Sequence, residues 1–143
     1  MATERRAEVV WQGDLLNGSG TIGRVGSGAF GPLDVSWASR AEEPNGRTSP
    51  EELVAAAWAS CFAMALSNVL AKAETPPEKL ETSATLTFQA GEGITRAALT
   101  VRGTVPGIDE DGFKAAADDA AKNCPVSKAM TGVPDVTLDA TLA

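Results

Sequence analysis

The chain has 143 residues, enough for one ordinary domain with a hydrophobic core, and its formal net charge is −7. This acidic balance argues against the basic surface that nucleic acids and anionic lipids require. With two cysteines and no histidine, the sequence excludes a disulfide framework, a Cys/His zinc site and a catalytic thiol or serine activated by histidine. Its apolar runs are shorter than the roughly 20 residues of a membrane-spanning helix, so we expect a soluble cytoplasmic protein.

The first third of the chain and its centre predict different elements. Three runs, AEVVWQGDLL, GSGTIGRVGSG and LDVSWASR, have β-branched or aromatic residues separated by turn residues, and they predict three strands. The segment SPEELVAAAWASCFAMAL, residues 49–66, predicts the start of a long helix, with Ser49 at the N-cap and Pro50 in the first turn. Residues 53–70 are apolar almost all round, so we expect a second subunit to cover part of this helix.

The second half of the chain predicts a hairpin, two helical segments and a closing strand. Alternating strands within residues 81–105 meet at Gly91 and Gly93, and residues 109–122 have helical periodicity. CPVSKAM starts a second helical segment, and DVTLDATLA ends the chain as a strand. The order βββ-α-ββ-α-β predicts a single α+β domain, residues 1–143, with a mostly antiparallel sheet.

The two cysteines occupy different kinds of position. Cys61 lies in the middle of the long helix, where composition alone favours a small buried hydrophobic residue. Cys124 stands directly before Pro125, at or near an N-cap, where unpaired N–H groups favour a thiolate. One thiol in an apolar lining and one at a helix terminus form a candidate attacking and resolving pair. Because the chain has no histidine, an arginine, lysine, carboxylate or helix end must activate the thiol.

Two segments, TSPEELVAAAWASCFAMAL and NCPVSKAM, resemble the signature segments of the OsmC/Ohr family of osmotically induced and organic-hydroperoxide-resistance proteins. The opening VWQGDLLNGSGTI and the later VPGID are similar to the OsmC branch, and the likeness extends over nearly the whole chain. The resemblance implies a thiol peroxidase that reduces organic hydroperoxides, acts as an intertwined homodimer and uses no metal or prosthetic group. It also suggests a dithiol reductant such as a lipoyl group.

The resemblance assigns roles to four residues. It makes Cys61 the peroxidatic thiol, Cys124 the resolving thiol, Arg40 the arginine of the OsmC branch and Glu51 the carboxylate partner of that arginine. An arginine can hold a thiolate and hydrogen-bond a departing oxygen, and in an apolar pocket it needs a counter-charge. From the residues alone, however, Arg40 is equally well a solvated charge at a strand end, the helix dipole explains Glu51, and Arg47 is a rival cation.

Apolar residues close to the cysteines in sequence predict a pocket lining for an alkyl or aryl group: Trp58, Phe62, Met64 and Met130. The OsmC branch often has histidine at position 58, so Trp58 alters the shape of this pocket but removes nothing that the mechanism needs. Two other functions stay open. The protein is a redox sensor whose disulfide changes a partner contact, or it is a dimer that binds an apolar ligand and has structural cysteines.

Helix geometry predicts where Glu51 acts. Ten residues separate Glu51 from Cys61, which on one continuous helix is about 15 Å along the axis and roughly 80° in direction. A glutamate side chain cannot close that gap, but antiparallel packing of two central helices would bring Glu51 to the thiols of the partner. We therefore expect two sites per homodimer at the subunit interface, each with Cys61 and Cys124 from one chain and Glu51 with Arg40 from the other.

Overall fold

The computed structural model describes all residues 1–143 and divides the chain into two compact units, Met1–Leu53 and Val54–Ala143. The elements in chain order are β1 (Ala7–Gln12), β2 (Ser19–Val25), β3 (Leu33–Val35), α1 (Trp37–Ala41), α2 (Pro50–Lys72), β4 (Lys79–Gln89), β5 (Gly93–Thr104), α3 (Glu110–Asn123), α4 (Pro125–Ala129) and β6 (Asp135–Leu142). The fold is α+β with two three-stranded sheets. The predicted order lacks the short helices α1 and α4.

The first unit contains the β1-β2-β3 sheet, in which both pairings are antiparallel. The third predicted strand was the segment LDVSWASR. Only its first three residues form a strand, β3, because a helix begins after Ser36. The Ser36 side chain accepts a hydrogen bond from the Ser39 N–H, and the Ser39 side chain accepts one from the Ser36 N–H, both at 3.0 Å. This capping box satisfies the backbone at the helix start. The predicted strand over SWASR is therefore wrong, and Arg40 lies on α1.

A long hairpin of β4 and β5 forms the sheet of the second unit together with β6. In the connecting turn, Gly91 and Gly93 have φ angles of 85° and 102°, in the left-handed region that glycine enters without a side-chain clash. The predicted hairpin is confirmed. β6 pairs with β5 in parallel, and α3 and α4 provide the crossover connection that a parallel neighbour requires. The second sheet is therefore mixed, whereas the first is antiparallel.

Helix α2 contributes one stripe of side chains to the core of the second unit. The fully buried members of the stripe are four residues apart: Trp58, Phe62, Leu66 and Leu70. The last three pack with residues of β5, α3 and β6, while Trp58 packs with Cys124 in a neighbouring cluster. The opposite side of α2 is open, and Met64 on that side is 73% exposed. One chain thus leaves much of the apolar surface of α2 uncovered.

The sequence predicted that the apolar runs are too short for a membrane-spanning helix, but α2 as a whole is longer than these runs. With 23 residues it is long and apolar enough to cross a membrane by length and composition. Ser60, Ser67 and Asn68 interrupt its apolar run, but they carry no charge. A single helix of this kind is weak evidence for a membrane span, because the core helix of a soluble protein passes the same test. Within this one chain, 22% of the apolar window of α2 is buried.

The first turn of α2 matches its prediction in part. The Glu52 N–H donates to the Ser49 hydroxyl oxygen at 3.2 Å, which is the expected N-cap bond. The Glu52 carboxylate does not complete a capping box, since it accepts a hydrogen bond from the Thr48 hydroxyl at 2.8 Å. Thr48, the residue before the cap, therefore donates the hydrogen bond that the backbone N–H of Ser49 would donate in a capping box.

A close contact between β5 and α3 gives a prediction about stability. A Cβ atom at Gly103 would lie 2.6 Å from two ring carbons of Phe113, which is fully buried. Because the ring has no free space to move into, Gly103→Ala should lower the free energy of unfolding by about 1–3 kcal/mol. Urea unfolding followed by circular dichroism measures this change. The matched control is Gly132→Ala, where a Cβ would meet no atom within 4 Å. Equal destabilisation of the two variants would contradict the proposed steric cause.

Candidate active site

Cys124 lies at the junction of α3 and α4, and Pro125 explains this position. The residue before a proline is disfavoured in the helical region, and Cys124 has φ −56° and ψ 128°. Its N–H bonds to the Ala120 carbonyl at 2.9 Å and ends α3, while its carbonyl accepts the Lys128 N–H at 3.1 Å and begins α4. The predicted N-cap position of Cys124 is confirmed. Its side chain is fully buried.

Cys61 lies on α2 close to the buried stripe but not on it, and it is only partly buried. It packs in the same cluster as Trp58 and Cys124. The Thr82 hydroxyl of β4 donates to the Ala59 carbonyl at 3.1 Å, which holds this part of α2 on the sheet. The expectation of a buried Cys61 is therefore wrong for the single chain. Cys124 is the enclosed sulfur, and Cys61 is the accessible one.

The two thiols are both free, they pack in the same cluster, and each shifts the pKa of the other. Burial raises the pKa of the Cys61 thiol, and the hydrogen bond with Cys124 raises it further. Burial also opposes ionisation of Cys124, but hydrogen bonds from Cys61 and Ser127 outweigh it and lower the pKa of Cys124. The surroundings thus oppose ionisation of Cys61 and favour ionisation of Cys124, and the titration of each thiol depends on the other.

Ser127 is a site residue that the sequence did not single out. The Trp58 indole N–H donates to the Ser127 hydroxyl oxygen at 2.7 Å, across 69 residues of sequence. Of the residues expected to line a pocket, Trp58 and Met130 pack in the cluster that contains Cys124, whereas Phe62 belongs to the other core cluster. The only sequence signal for Ser127 is its position three residues after Cys124, which does not reveal the contact with Trp58.

Arg40 and Glu51 form the second pair of predicted site residues, within the first unit. The Arg40 guanidinium donates from Nη2 to Glu51 Oε1 at 2.7 Å and from Nε to Oε2 at 3.2 Å. The Glu51 side chain is 8% exposed, and that of Arg40 is 34% exposed. A carboxylate so enclosed needs a fixed cation, and the two-point contact also fixes the plane of the guanidinium.

The hydrogen bonds around Thr48 explain why Glu51 meets Arg40. The Ser39 hydroxyl of α1 donates to the Thr48 carbonyl at 3.0 Å, and the Thr48 N–H bonds to a β3 carbonyl at the same distance. The segment before α2 is thereby held against α1 and β3, with Glu51 in the first turn of α2. Arg47, the rival cation, is exposed. The cation paired with Glu51 is Arg40.

The structure thus brings the four predicted site residues together as two pairs. Cys61 and Cys124 form a thiol pair in the second unit, and Arg40 and Glu51 form an ion pair in the first. No group of three or more histidine, cysteine or acidic side chains is arranged to hold a metal ion. The thiol pair can alternate between a dithiol and a disulfide, and the ion pair can present an oriented guanidinium to an anion.

Comparisons with known proteins identify one family. The sequence model of the family described as OsmC-like protein matches residues 43–139. Peroxiredoxin OsmC of Escherichia coli (strain K12) is 36% identical over 142 residues, which cover 97% of this chain and 96% of the relative. Organic hydroperoxide resistance protein OhrA of Bacillus subtilis (strain 168) is 35% identical over 114 residues, which cover 75% and 78%. A solved OsmC-like protein of Vibrio cholerae has the same fold, with a TM-score of 0.72, 18% identity and coverage of 96% and 99%.

The thiol pair gives a prediction about pH. Since the hydrogen bond with Cys124 raises the pKa of Cys61, Cys124→Ala should lower that pKa and increase the Cys61 thiolate at a given pH. Near pH 8 the Cys61 thiolate fraction should rise about threefold to tenfold. The midpoint of the iodoacetamide rate plotted against pH measures the change independently of access to the sulfur. Ser60→Ala, at the adjacent exposed position, should leave the midpoint unchanged. A higher midpoint in Cys124→Ala would contradict this effect of Cys124.

Proposed function

The chain belongs to the OsmC-like protein family, and from this premise we propose that it is a peroxidase that reduces organic hydroperoxides with Cys61 and Cys124. One observation carries the proposal: the two free thiols pack in one cluster, in which Cys124 is fully buried and Cys61 is only partly buried. A substrate can reach the accessible sulfur, and the enclosed sulfur is placed to close a disulfide. The names of the relatives, a peroxiredoxin and an organic hydroperoxide resistance protein, support the same chemistry.

Cys61 is the attacking thiol in this proposal because its sulfur is the accessible one. The Cys61 thiolate attacks the terminal oxygen of the hydroperoxide, an S–O bond forms, and the O–O bond breaks. The alkoxide takes a proton and leaves as an alcohol, and Cys61 becomes a sulfenic acid. Because burial raises the pKa of the Cys61 thiol, negative charge must be shifted onto the Cys61 sulfur before the attack.

A cation beside Cys61 would favour this shift of charge, and we assign that role to Arg40. Glu51 fixes the guanidinium plane, so that Arg40 can stabilise the thiolate and the departing oxygen without reorienting. On a continuous α2, Glu51 and Cys61 are about 15 Å apart along the axis. We therefore propose that the ion pair of one subunit serves the thiol pair of the other in a homodimer.

Cys124 resolves the sulfenic acid and closes the cycle. Its sulfur attacks the Cys61 sulfur, an S–S bond forms, and the hydroxyl group leaves as water with the Cys124 proton. A dithiol reductant, such as a lipoyl group, then supplies two electrons and two protons and becomes a disulfide itself. The sum converts a hydroperoxide and a dithiol into an alcohol, water and a disulfide. A reducing cytoplasm is the compartment that suits this cycle.

The open side of α2 supports the homodimer and its choice of substrate. In one chain this apolar side is uncovered, as the exposure of Met64 illustrates. A second copy would bury the surface and leave an apolar rim beside the accessible Cys61. Such a rim favours the alkyl or aryl part of an organic hydroperoxide over hydrogen peroxide, which has no apolar part.

The division of labour between the thiols predicts different effects of two serine variants. Cys61→Ser should lower the rate of peroxide consumption by about a thousandfold or more, because it removes the nucleophile. Cys124→Ser should consume one equivalent and stop as the Cys61 sulfenic acid, because no thiol resolves it. Turnover with dihydrolipoamide, followed by sulfenic acid trapping and mass spectrometry, measures both effects.

The same assay decides among the candidate functions. The native protein should consume cumene hydroperoxide faster than hydrogen peroxide. A sulfenic acid trapped on Cys124 would reverse the assigned roles. Stoichiometric oxidation without turnover would favour a redox sensor, and no oxidation together with binding of an apolar ligand would favour a binding protein with structural cysteines.

The shared site predicts complementation between two inactive chains. A Cys61→Ser chain keeps Arg40 and Glu51, and a Glu51→Ala chain keeps both thiols, so a mixed dimer contains one complete site. Purified mixed dimers should recover about half of the native activity per dimer, whereas each parent homodimer stays impaired. The control pairs Cys61→Ser with Cys61→Ser,Glu51→Ala, which contains no complete site. No recovery in the mixed dimer would contradict a site made from two subunits.

A further inference from the structure

We propose that Trp58 is a positioning residue of the thiol pair: its indole N–H occupies the Ser127 hydroxyl oxygen and directs the hydroxyl proton to the Cys124 sulfur. The structure contains the hydrogen bond from Trp58 to Ser127 directly. Its role in turnover rests on the proposed peroxidase function. Neither the family likeness nor the four predicted site residues assigns a role to Ser127.

The position of Ser127 explains how its side chain reaches Cys124. Cys124 is the N-cap of α4, and Ser127 is the third residue after that cap. A side chain at this position can reach back toward the cap, as it does in a capping box. Trp58 packs in the same cluster as Cys124, and it is 1% exposed while Cys124 is 0% exposed. Trp58 and Cys124 are thus enclosed, and Ser127, which bonds to Trp58, is partly buried.

The hydrogen-bonding capacity of each group sets the direction of the contact. An indole N–H can only donate, whereas a serine hydroxyl donates one proton and accepts through two lone pairs. At 2.7 Å the Trp58 N–H takes one acceptor position of Ser127 and leaves the hydroxyl proton for another partner. We assign Cys124 as that partner because it is the N-cap three residues before Ser127, and the Ser127 side chain also lowers the pKa of the Cys124 thiol. Trp58 thus acts on Cys124 through Ser127.

This contact matters most when the disulfide is reduced. The first thiolate of a dithiol reductant attacks the Cys61 sulfur, because Cys61 is the accessible partner. The S–S bond breaks, a mixed disulfide forms on Cys61, and Cys124 leaves with the electron pair as a thiolate. The second thiolate of the reductant then attacks the reductant's sulfur in the mixed disulfide. The reductant becomes a cyclic disulfide, and Cys61 leaves as a thiolate. A leaving thiol with a lower pKa leaves faster, so the Ser127 proton accelerates the first step.

Titration of Cys124 alone tests the contact without any peroxide. In a Cys61→Ser background Cys124 is the one remaining thiol, and the chain has no tyrosine whose ionisation would overlap the ultraviolet absorbance of the thiolate. At a fixed pH below the midpoint, Ser127→Ala should reduce the thiolate fraction about tenfold and Trp58→Phe about threefold. The double variant should match Ser127→Ala, because Trp58 acts only through the hydroxyl.

Control variants separate this role from packing. Ser127→Thr keeps the hydroxyl and should keep the native titration. Trp11→Phe removes an indole N–H that donates to the Gly13 carbonyl in the first unit, and should change nothing. Independent, additive effects of Trp58→Phe and Ser127→Ala would overturn the proposal, and so would an unchanged titration in Ser127→Ala. If Trp58→Phe fails to fold, the comparison of Ser127→Ala with Ser127→Thr still decides whether the hydroxyl acts on Cys124.

The rate of disulfide reduction tests the consequence separately from peroxidase activity. Diamide closes the Cys61–Cys124 disulfide in the otherwise native chain, and dithiothreitol then reduces it. Reduction should slow about threefold to tenfold in Ser127→Ala and return to the native rate in Ser127→Thr. An unchanged rate in Ser127→Ala would overturn the role in turnover. Because no hydroperoxide is used, failure of the proposed peroxidase activity would not affect this result.

Discussion

The meeting of Cys61 and Cys124 in one cluster is the constraint that the core of the second unit satisfies. It requires the middle of a 23-residue helix to meet the junction of two others. Pro125 meets one half of this requirement, because it forces the backbone at Cys124 out of the helical region. The buried stripe of α2 and the Thr82 bond to its backbone meet the other half. The core of this unit therefore places two sulfurs while it stabilises the fold.

The electrostatics of the thiol pair differ from what its proposed chemistry needs. Burial raises the pKa of Cys61 while hydrogen bonds lower that of Cys124, yet Cys61 is the more exposed thiol and the proposed nucleophile. A positive field beside Cys61 would resolve the difference, because it would favour the charged form of that thiol. An oriented guanidinium provides such a field, and Glu51 holds that of Arg40 in one plane. The division of the site into a thiol pair and an ion pair thus gives each part a distinct task.

Local signals in the sequence predicted most elements, and contacts between distant residues explain the misses. The hairpin at Gly91 and Gly93 and the N-cap at Cys124 depend on neighbouring residues, and both are correct. The helix at Trp37 was missed because two serines three residues apart outweigh the strand propensity of the residues between them. Burial of Cys61 was misjudged because periodicity shows that a helix is apolar, but not which side the sheet covers.

The same difference between local signals and distant contacts separates the site residues that were predicted from those that were missed. Arg40 and Glu51 are eleven residues apart, and the family likeness named both, but their two-point geometry depends on how α1 holds the segment before α2. Ser127 was not found at all, because its partner Trp58 lies 69 residues away. A serine after a cysteine is common, and only the meeting of two helices gives this one a donor. Sequence reasoning therefore reached the four candidate site residues but not the Trp58–Ser127 contact beside them.

The two opposite ridges of α2 restrict the way in which a second helix can approach it. Trp58, Phe62, Leu66 and Leu70 form the buried ridge, and Ala56, Ser60, Met64 and Asn68 form a parallel exposed one, also with four-residue spacing. When ridges of this spacing interdigitate, helices cross at about 50° rather than running side by side. A crossing of that kind concentrates contact near one point. Small side chains at the first two exposed positions would place that point close to the midpoint between Glu51 and Cys61, where two antiparallel copies would bring the Glu51 of each toward the Cys61 of the other.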